Sequence, residues 1–275
     1  MPQPEELEVR TLGPARFASP LEGDKATVFV EDDQRVRFER LVGSKSTDPE
    51  GRLSFEEAGP RERIYFDPKE TTAAIVTCGG LCPGLNKVIR GLVAELRRNY
   101  GVPRTLGIRD GYLGLNPAEG RPPLELDEAF VEDIHYMGGT VLGSSRGPQE
   151  PAVVVDYLES EGIDLLFCIG GDGTQRGAHA ITQEIGRRGL AKSVIGIPKT
   201  IDNDIAFVHM TFGYMTALAE AEQVLRGAHN EAQGAVNGIA IVKLMGRGAG
   251  YITAGAALAS DESNFVLIPE VEFPL

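Results

Sequence analysis

Ser193-Val-Ile-Gly-Ile197, followed by Pro198-Lys-Thr-Ile-Asp-Asn-Asp-Ile205, is the stretch of sequence that decides the fold. The first five residues have the short apolar character of a buried parallel strand, so the residues after them should emerge at the carboxyl end of a sheet, where open α/β folds bind ligands. Asp202 and Asp204 can point the same way from an extended turn. One carboxylate could then face Mg²⁺ while the other accepts a proton from an attacking hydroxyl. A helix cap or an Asx turn uses the same residue types, and this segment alone leaves both interpretations open.

A second strand-like run, Asp164-Leu-Leu-Phe-Cys-Ile169, ends in Gly170-Gly-Asp-Gly-Thr174 before a helical pattern that begins near Gln175. Glycines at a strand-to-helix turn let backbone amides approach phosphate oxygens, and the amino end of the helix adds partial positive charge. Asp172 would repel a phosphate unless a cation lay between them. The pattern therefore predicts that Asp172 binds Mg²⁺.

A third unit of the same kind runs from Thr72-Ala-Ala-Ile-Val-Thr77 through Cys78-Gly-Gly-Leu-Cys-Pro-Gly-Leu-Asn86 into a predicted helix from about Lys87 to Tyr100. Apolar residues recur in that helix at the spacing of one buried face, namely Val88, Ile89, Leu92, Val93 and Leu96. Three such turns on one sheet converge on a single crevice.

The whole chain after Thr71 alternates between strand and helix patterns, which predicts an α/β fold of doubly wound, mainly parallel sheets. Strands are expected near residues 72–77, 104–108, 164–169, 193–197, 238–244 and 265–269, and further helices over 175–188, 211–226 and 250–259. Residues 1–66 lack this alternation and are expected to form a short amino-terminal extension without a catalytic role. Within it, Ala26–Val30 and Arg35–Phe38 are predicted to pair as a hairpin.

Composition restricts the partners and the compartment. The 275 residues carry a net charge of −13, which argues against a nucleic acid or an anionic membrane as partner, since both attract basic patches. No signal peptide and no apolar run of membrane-spanning length is found, so a cytoplasmic protein is expected. Cys78, Cys82 and Cys168 have no spacing typical of a zinc site and are expected to be reduced thiols.

Five segments together resemble the 6-phosphofructokinases in order and rough spacing, and the resemblance covers about Thr71 to Glu270. They are Thr77–Asn86, Leu142–Gly147, Gly170–Thr174, Pro198–Ile205 and Val242–Gly250. Gly170–Thr174 alone would also fit NAD kinases and diacylglycerol kinases, which remain a weaker alternative because the last two segments lie outside that motif.

The resemblance implies a phosphofructokinase-like fold and Mg²⁺-dependent transfer of a phosphoryl group from ATP to the 1-hydroxyl of fructose 6-phosphate, giving fructose 1,6-bisphosphate. By position, Asp202 is implied to be the base, with Thr200 and Lys199 beside it, and Asp172 the metal ligand. The implied donor-binding residues are Gly80, Arg146, Gly173, Thr174 and Gly177. The implied substrate-binding residues are Asp204, Met245, Gly246, Arg247 and Glu270, with Asp204 also a possible aid to the metal.

Two positions bear on the donor and disagree. Family members that use pyrophosphate tend to have Asp where Gly173 stands, and Lys where Lys199 stands. This mixed pair resembles the plant-type ATP-dependent branch, so ATP is the expected donor and pyrophosphate the alternative. Many bacterial members also have an arginine where Gly238 stands, and Lys243 again resembles the plant-type and pyrophosphate branches.

The family continues past the position of Leu275 with segments that complete the sugar-phosphate site. The expected domains are therefore the extension 1–66, a donor-binding domain 67–213 and a partial sugar-phosphate domain 214–275. A homo-oligomer is expected, since the family is usually oligomeric. A catalytically incomplete nucleotide-binding or assembly subunit is the alternative of another class.

Overall fold

A computed structural model of the chain describes residues 7–37 and 53–273. Its strands are β1 (Phe17–Ala18), β2 (Arg35–Arg37), β3 (Ser54–Glu56), β4 (Arg63–Ile64), β5 (Thr72–Thr77), β6 (Arg104–Ile108), β7 (Leu124–Glu125), β8 (Leu165–Gly170) and β9 (Ser193–Pro198). Its α-helices are α1 (Leu85–Ala94), α2 (Glu128–Val131), α3 (Pro151–Ser160), α4 (Asp172–Arg188), α5 (Tyr214–Gly234) and α6 (Tyr251–Ser260). A π-helical turn, Glu95–Asn99, extends α1, and short 3₁₀ turns cover Gly111–Leu115 and Ile134–Tyr136.

Five strands form the central sheet in the order β7-β6-β5-β8-β9, parallel except for the short edge strand β7. The chain moves from β5 to β6 in one direction and then crosses to β8 on the other side of β5. The point where the order reverses therefore lies between β5 and β8, and open α/β folds bind ligands at the carboxyl ends of the strands there. Two of the predicted glycine turns follow these two strands.

Helices cover both faces of the sheet, which confirms the doubly wound α/β prediction. Ala74 and Val76 of β5 pack with residues of α3 and α4, whereas Ile75 between them packs with residues of α1 and α2. Successive side chains of a strand point to opposite faces, so one strand supplies two cores. The four predicted strands 72–77, 104–108, 164–169 and 193–197 are confirmed to within one residue.

The predicted strands 238–244 and 265–269 are wrong, because both segments are irregular. Ile239 and Ile241 keep the alternating pattern of a strand but are 87% and 90% exposed. A strand is stable only when its amides and carbonyls pair with a neighbouring strand, and in the described residues no strand pairs with these segments. The two helices in this part of the chain, α5 and α6, pack on each other.

The amino-terminal hairpin prediction is also wrong. Residues 26–30 are irregular, and Arg35–Arg37 pairs antiparallel with Ser54–Glu56 instead. Phe38 lies outside the described residues. A second small antiparallel pair joins β1 to β4. Of the two predicted short strands, only Arg35–Phe38 forms one over its described residues, and its partner is distant in sequence.

Two further differences concern the site. The strand β9 was expected to be buried, but it is the edge of the described sheet and is only partly buried. Helix α4 was expected from Gln175 but begins at Asp172, so the segment Asp172-Gly-Thr174 is its first turn.

No helix within residues 7–37 and 53–273 has the length and apolarity needed to cross a membrane.

Candidate active site

A cleft of about 790 Å³ opens at the carboxyl ends of β5 and β8. It is bounded by the turn after β5, the loop 145–151, helices α3 and α4, and the turn after β9. Among the residues singled out from the sequence, Gly80, Arg146, Asp172, Gly173, Thr174, Gly177, Lys199 and Arg247 line it. Backbone hydrogen bonds continue the sheet into these turns, from Cys78 to Ile169 at 2.9 Å and from Lys199 to Gly170 at 2.9 Å.

The first turn of α4 forms one wall of the cleft. Asp172 and Gly173 are exposed, whereas Thr174 is buried. The backbone amide of Thr174 donates to the carbonyl of Gly171 at 2.8 Å. Because the first amides of a helix have no partner within the helix, this turn can donate to an anion.

Gln175 ties this helix to the sheet. Its side-chain amide donates to the carbonyl oxygens of Gly170 at 2.9 Å and Ile197 at 3.2 Å, at the ends of β8 and β9. A methyl group on Gly196 would collide with the side chain of Gln175. The glycine in β9 therefore leaves the room that the Gln175 side chain occupies.

The loop that carries Arg146 is held by the turn after β5. The hydroxyl of Ser144 donates to the carbonyl of Gly79 at 2.6 Å, and the amide of Gly79 donates to the carbonyl of Ser145 at 3.2 Å. The hydroxyl of Thr77 donates to the carbonyl of Gly143 at 2.7 Å. Arg146 itself is exposed at the mouth of the cleft.

Asn86, the last residue of the motif Thr77–Asn86, is an anchor of the segment that leads into this loop. It is 2% exposed. Its side-chain Nδ2 donates to the carbonyl of Met137 at 3.0 Å, and its Oδ1 accepts from the backbone amide of Val141 at 2.9 Å. A buried side chain that donates and accepts in this way fixes the backbone at two points. A polar residue at a buried helix position was the signal in the sequence that could have indicated it.

Lys199 lies between the turn after β5 and the turn after β9. It is 6% exposed, and its ammonium donates to the carbonyl of Gly80 at 2.6 Å. Burial lowers the pKa of Lys199, because desolvation disfavours the charged form. It lines the cleft and interacts electrostatically with Asp202.

The two carboxylates of the turn after β9 have different surroundings. The hydroxyl of Thr200 donates to Asp204 at 2.7 Å and accepts from the amide of Asp202 at 3.1 Å. Oδ1 of Asp202 is buried and has no hydrogen-bond partner among the described residues. Asp204 is therefore already hydrogen-bonded, whereas Oδ1 of Asp202 is a buried acceptor without a donor.

Burial raises the pKa of the Asp202 carboxyl, the nearby charge of Asp204 raises it further, and Lys199 opposes the shift. A raised pKa moves a carboxylate toward the range in which a general base works best. The short turn in this segment is made by Thr200, whose hydroxyl accepts from the amide of Asp202 two residues later, whereas Asn203, with φ = 56°, accepts from the amide of Thr211, eight residues later, at 2.7 Å. The hydrogen bonds of Asn203 and Thr200 therefore hold the shape of the turn, and the role of Asp202 as a base stays a prediction.

The residues predicted to bind the sugar phosphate are dispersed. Arg247 lines the main cleft, but Met245 is exposed and lines a separate apolar cavity of about 280 Å³ beside α5. Glu270 accepts from the backbone amide of Gly250 at 2.7 Å, which links the end of the described chain to the start of α6. Gly246 has φ = 121°, a conformation that favours glycine.

Oxygen ligands for a divalent cation are present, but not as a closed site. No group of three His, Cys, Asp or Glu side chains in residues 7–37 and 53–273 could hold a metal ion. Mg²⁺ commonly binds through one or two carboxylates, several waters and substrate phosphates, so the exposed carboxylate of Asp172 in the wall of the cleft fits that ion.

Residues 72–275 match the family model described as phosphofructokinase. The chain belongs to the phosphofructokinase family. This membership confirms the resemblance drawn from the five motifs, whose residues 77–250 lie inside the matched range.

Similar family members include proteins named ATP-dependent 6-phosphofructokinase. One from Borreliella burgdorferi is 44% identical over 98% of this chain and 61% of its own length. One from Amycolatopsis methanolica is 47% identical over the same shares, and one from Trypanosoma brucei brucei is 53% identical over 79% of this chain and 45% of its own length. The chain thus spans 61% or less of the length of these curated relatives.

Solved phosphofructokinases share the fold. A pyrophosphate-dependent phosphofructokinase from Marinobacter aquaeolei has a TM-score of 0.63 and 21% identity, and covers 74% of this chain and 54% of its own. A Pichia pastoris phosphofructokinase in the T-state has a TM-score of 0.56 and 22% identity, and covers 75% of this chain and 25% of its own. At these identities the likeness supports the fold and does not distinguish between donors.

Proposed function

We propose that this chain carries the active site of an ATP-dependent 6-phosphofructokinase, which transfers the terminal phosphoryl group of ATP to the 1-hydroxyl of fructose 6-phosphate with Mg²⁺. The observation that carries the proposal is the buried, unpaired oxygen of Asp202, which does not itself line the cleft but interacts with Lys199 in its wall, next to glycine turns and the amino end of α4. This combination offers a base and an anion site together. The similarity to proteins named ATP-dependent 6-phosphofructokinase supports the choice of reaction.

The shape of the cleft favours ATP over pyrophosphate. Beyond Gly173 the cleft continues between α3 and α4, where Val154 and Ile181 are buried apolar residues of its wall. Pyrophosphate would leave this apolar end empty, whereas the base and ribose of a nucleotide would fill it. A methyl group on Gly173 would meet no atom closer than 4.0 Å, so the space beside the phosphates is open.

Lys199 is the residue that favours pyrophosphate as the donor. Its buried ammonium lines the cleft and could neutralise a second phosphate group. In the structure, however, that ammonium is bonded to the carbonyl of Gly80 at 2.6 Å. We therefore assign Lys199 to holding the turn after β5 and to balancing charge beside Asp202.

The proposed chemistry needs positioning and charge neutralisation more than covalent assistance. Asp202 accepts the proton of the 1-hydroxyl as the sugar oxygen bonds to the terminal phosphorus and the bond to ADP breaks. Thr200 keeps Asp204 occupied at 2.7 Å, so the proton goes to Asp202. The first turn of α4 and Arg146 bind the donor phosphates.

Mg²⁺ would be held by Asp172, together with water and the donor phosphates. When bound, it neutralises charge that develops on the phosphate oxygens. At the sugar end, we assign Arg247 to the acceptor phosphate because it is the one predicted sugar-site residue that lines the main cleft. Met245, Gly246, Asp204 and Glu270 are assigned there by their motif positions. A cytoplasmic homo-oligomer is proposed from the resemblance to the family.

A coupled assay of the purified chain tests the proposal with fructose 6-phosphate, Mg²⁺ and either ATP or pyrophosphate. Turnover with ATP and none with pyrophosphate is expected. Turnover with pyrophosphate and none with ATP would show that pyrophosphate, not ATP, is the donor. Nucleotide binding by calorimetry without turnover under either condition would overturn the enzyme proposal in favour of a binding subunit, and phosphorylation of NAD instead of the sugar would replace the acceptor.

A further inference from the structure

Tyr112 is a buried residue in the wall of the cleft, on the 3₁₀ turn Gly111–Leu115 that follows β6. Its hydroxyl donates to the backbone carbonyl of Thr174 at 2.7 Å, in the first turn of α4. Its ring lies against Gly177, where an added methyl group would come within 2.5 Å of Cε2. One side chain thus contacts α4 at two successive turns, close to the proposed phosphate-binding residues.

The backbone that carries Tyr112 is fixed to the opposite wall. Asp110 and Gly111 have φ = 60° and 65°, and a methyl group on Gly111 would lie 2.6 Å from Oγ of Ser145. The amide of Asp110 donates to the carbonyl of Leu142 at 2.8 Å. The guanidinium of Arg121 holds the carboxylate of Asp110 through two hydrogen bonds of 2.5 Å. Tyr112 therefore connects the loop 142–147, which bears Arg146, to helix α4.

The hydroxyl of Tyr112 is a permanent donor. Burial, followed by interaction with Cys168, raises its pKa well above the ordinary range of a tyrosine. The thiols of Cys78 and Cys168 are also buried, and burial raises the pKa of each to about 12. This part of the wall consequently stays uncharged at neutral pH and contributes geometry instead of charge.

We propose that Tyr112 is a positioning residue for the donor: it holds the first turn of α4 at a fixed distance from the loop of Arg146, so that both contact the same phosphates. The inference rests on the proposed function for its ligand. It assigns to Tyr112 no contact with reacting atoms, because its hydroxyl is bonded to Thr174 and its effect passes through the helix.

The test is Tyr112→Phe, which removes the hydroxyl and keeps the ring. The matched control is Tyr157→Phe, since Tyr157 is equally buried, on α3, and is not a lining residue of the cleft. A net hydrogen bond is worth enough to change an equilibrium about two- to tenfold. We expect the Kd and KM for ATP to rise by that factor in Tyr112→Phe, with the KM for fructose 6-phosphate unchanged and faster hydrogen exchange in the first turn of α4.

Gly177→Ala is the independent second variant, because its methyl group would push the same ring from the helix side. It should raise the KM for ATP and again leave the KM for the sugar phosphate unchanged. Equal nucleotide affinity and equal exchange in Tyr112→Phe and the unmodified chain would overturn the inference, as would a parallel change of both KM values in Tyr112→Phe and Tyr157→Phe. If the unmodified chain bound no nucleotide, the proposed function would fail, and the exchange comparison would still decide whether Tyr112 holds α4.

Discussion

The two ends of the proposed site differ in how their residues are held. At the donor end, Lys199 is buried and its turn is hydrogen-bonded to the end of β8, so its position follows from the register of the sheet. At the acceptor end, Met245 is 62% exposed on an irregular segment, and Ile239 and Ile241 lie exposed a few residues before it. A site residue is fixed by the sequence near it only when that sequence also builds the secondary structure that holds it.

Asp202→Asn should have the largest effect, since it removes the proposed base while conserving size. General-base catalysis contributes about 10²- to 10⁴-fold, so turnover should fall by that factor. Calorimetry should find ATP binding nearly unchanged. Asp204→Asn is the control, because Asp204 is bonded to Thr200; a larger loss in this variant than in Asp202→Asn would reverse the two assignments.

Ile75→Ala and Ile241→Ala compare the two regions by stability. Ile75 lies on β5 and is fully buried against α1. Truncating such a residue costs about 2–5 kcal/mol of unfolding free energy. Ile241 is 90% exposed, and its truncation should cost less than about 0.5 kcal/mol. Urea denaturation of both variants measures the difference. A cost at Ile241 equal to that at Ile75 would mean that this side chain is covered in solution.

Gly173→Asp tests the donor end alone. The position is open, so the new carboxylate should be accommodated without unfolding, and it should repel the phosphates of ATP. We expect kcat/KM for ATP to fall about tenfold to a hundredfold, which corresponds to about 1.4–2.8 kcal/mol. Gly186→Asp, an exposed glycine of the same helix with equal space around it, should leave kcat/KM unchanged. Equal losses in both variants would point to a general effect on α4.

The pH profile should give the smallest effect. The pKa of Asp202 is raised, so activity should be present above that pKa and be lost as the pH falls through it, at a higher pH than an ordinary Asp would require. Asp204→Asn removes a like charge and should shift the acid limb of kcat/KM to lower pH. A shift to higher pH, or none, would contradict the proposed coupling of the two carboxylates.

The sheet and the donor end were predictable because local pattern and register agree there. Thr72–Thr77 and Leu165–Gly170 read as strands, and the turns after them follow from the parallel pairing of Thr77 with Ile169. Tyr112 and Asn86 were not found, because each acts through a partner that is distant in sequence. The separation is 62 residues between Tyr112 and Thr174 and 51 between Asn86 and Met137.

The acceptor end was not predictable for a different reason. Residues 238–244 have the composition of a strand, yet strand formation requires a neighbour, and a sequence pattern does not supply one. The same holds for Ala26–Val30, because residues Arg35–Arg37 of its expected partner, Arg35–Phe38, pair with Ser54–Glu56. The predicted helices and the four strands of the parallel sheet were correct. The predicted strands that depended on one particular partner strand were wrong.

The side chain of Gln175 has a mechanical consequence. It joins the start of α4 to the ends of both β8 and β9, so these hydrogen bonds couple the helix turn proposed to bind the donor phosphates to the strand that precedes the turn of Asp202. The position of the proposed phosphate-binding turn relative to the end of β9 is therefore defined before any substrate binds. If fluorescence between labels on α5 and α4 changes when substrates bind, α5 should be the element that moves, while the ends of β8 and β9 keep their separation from α4.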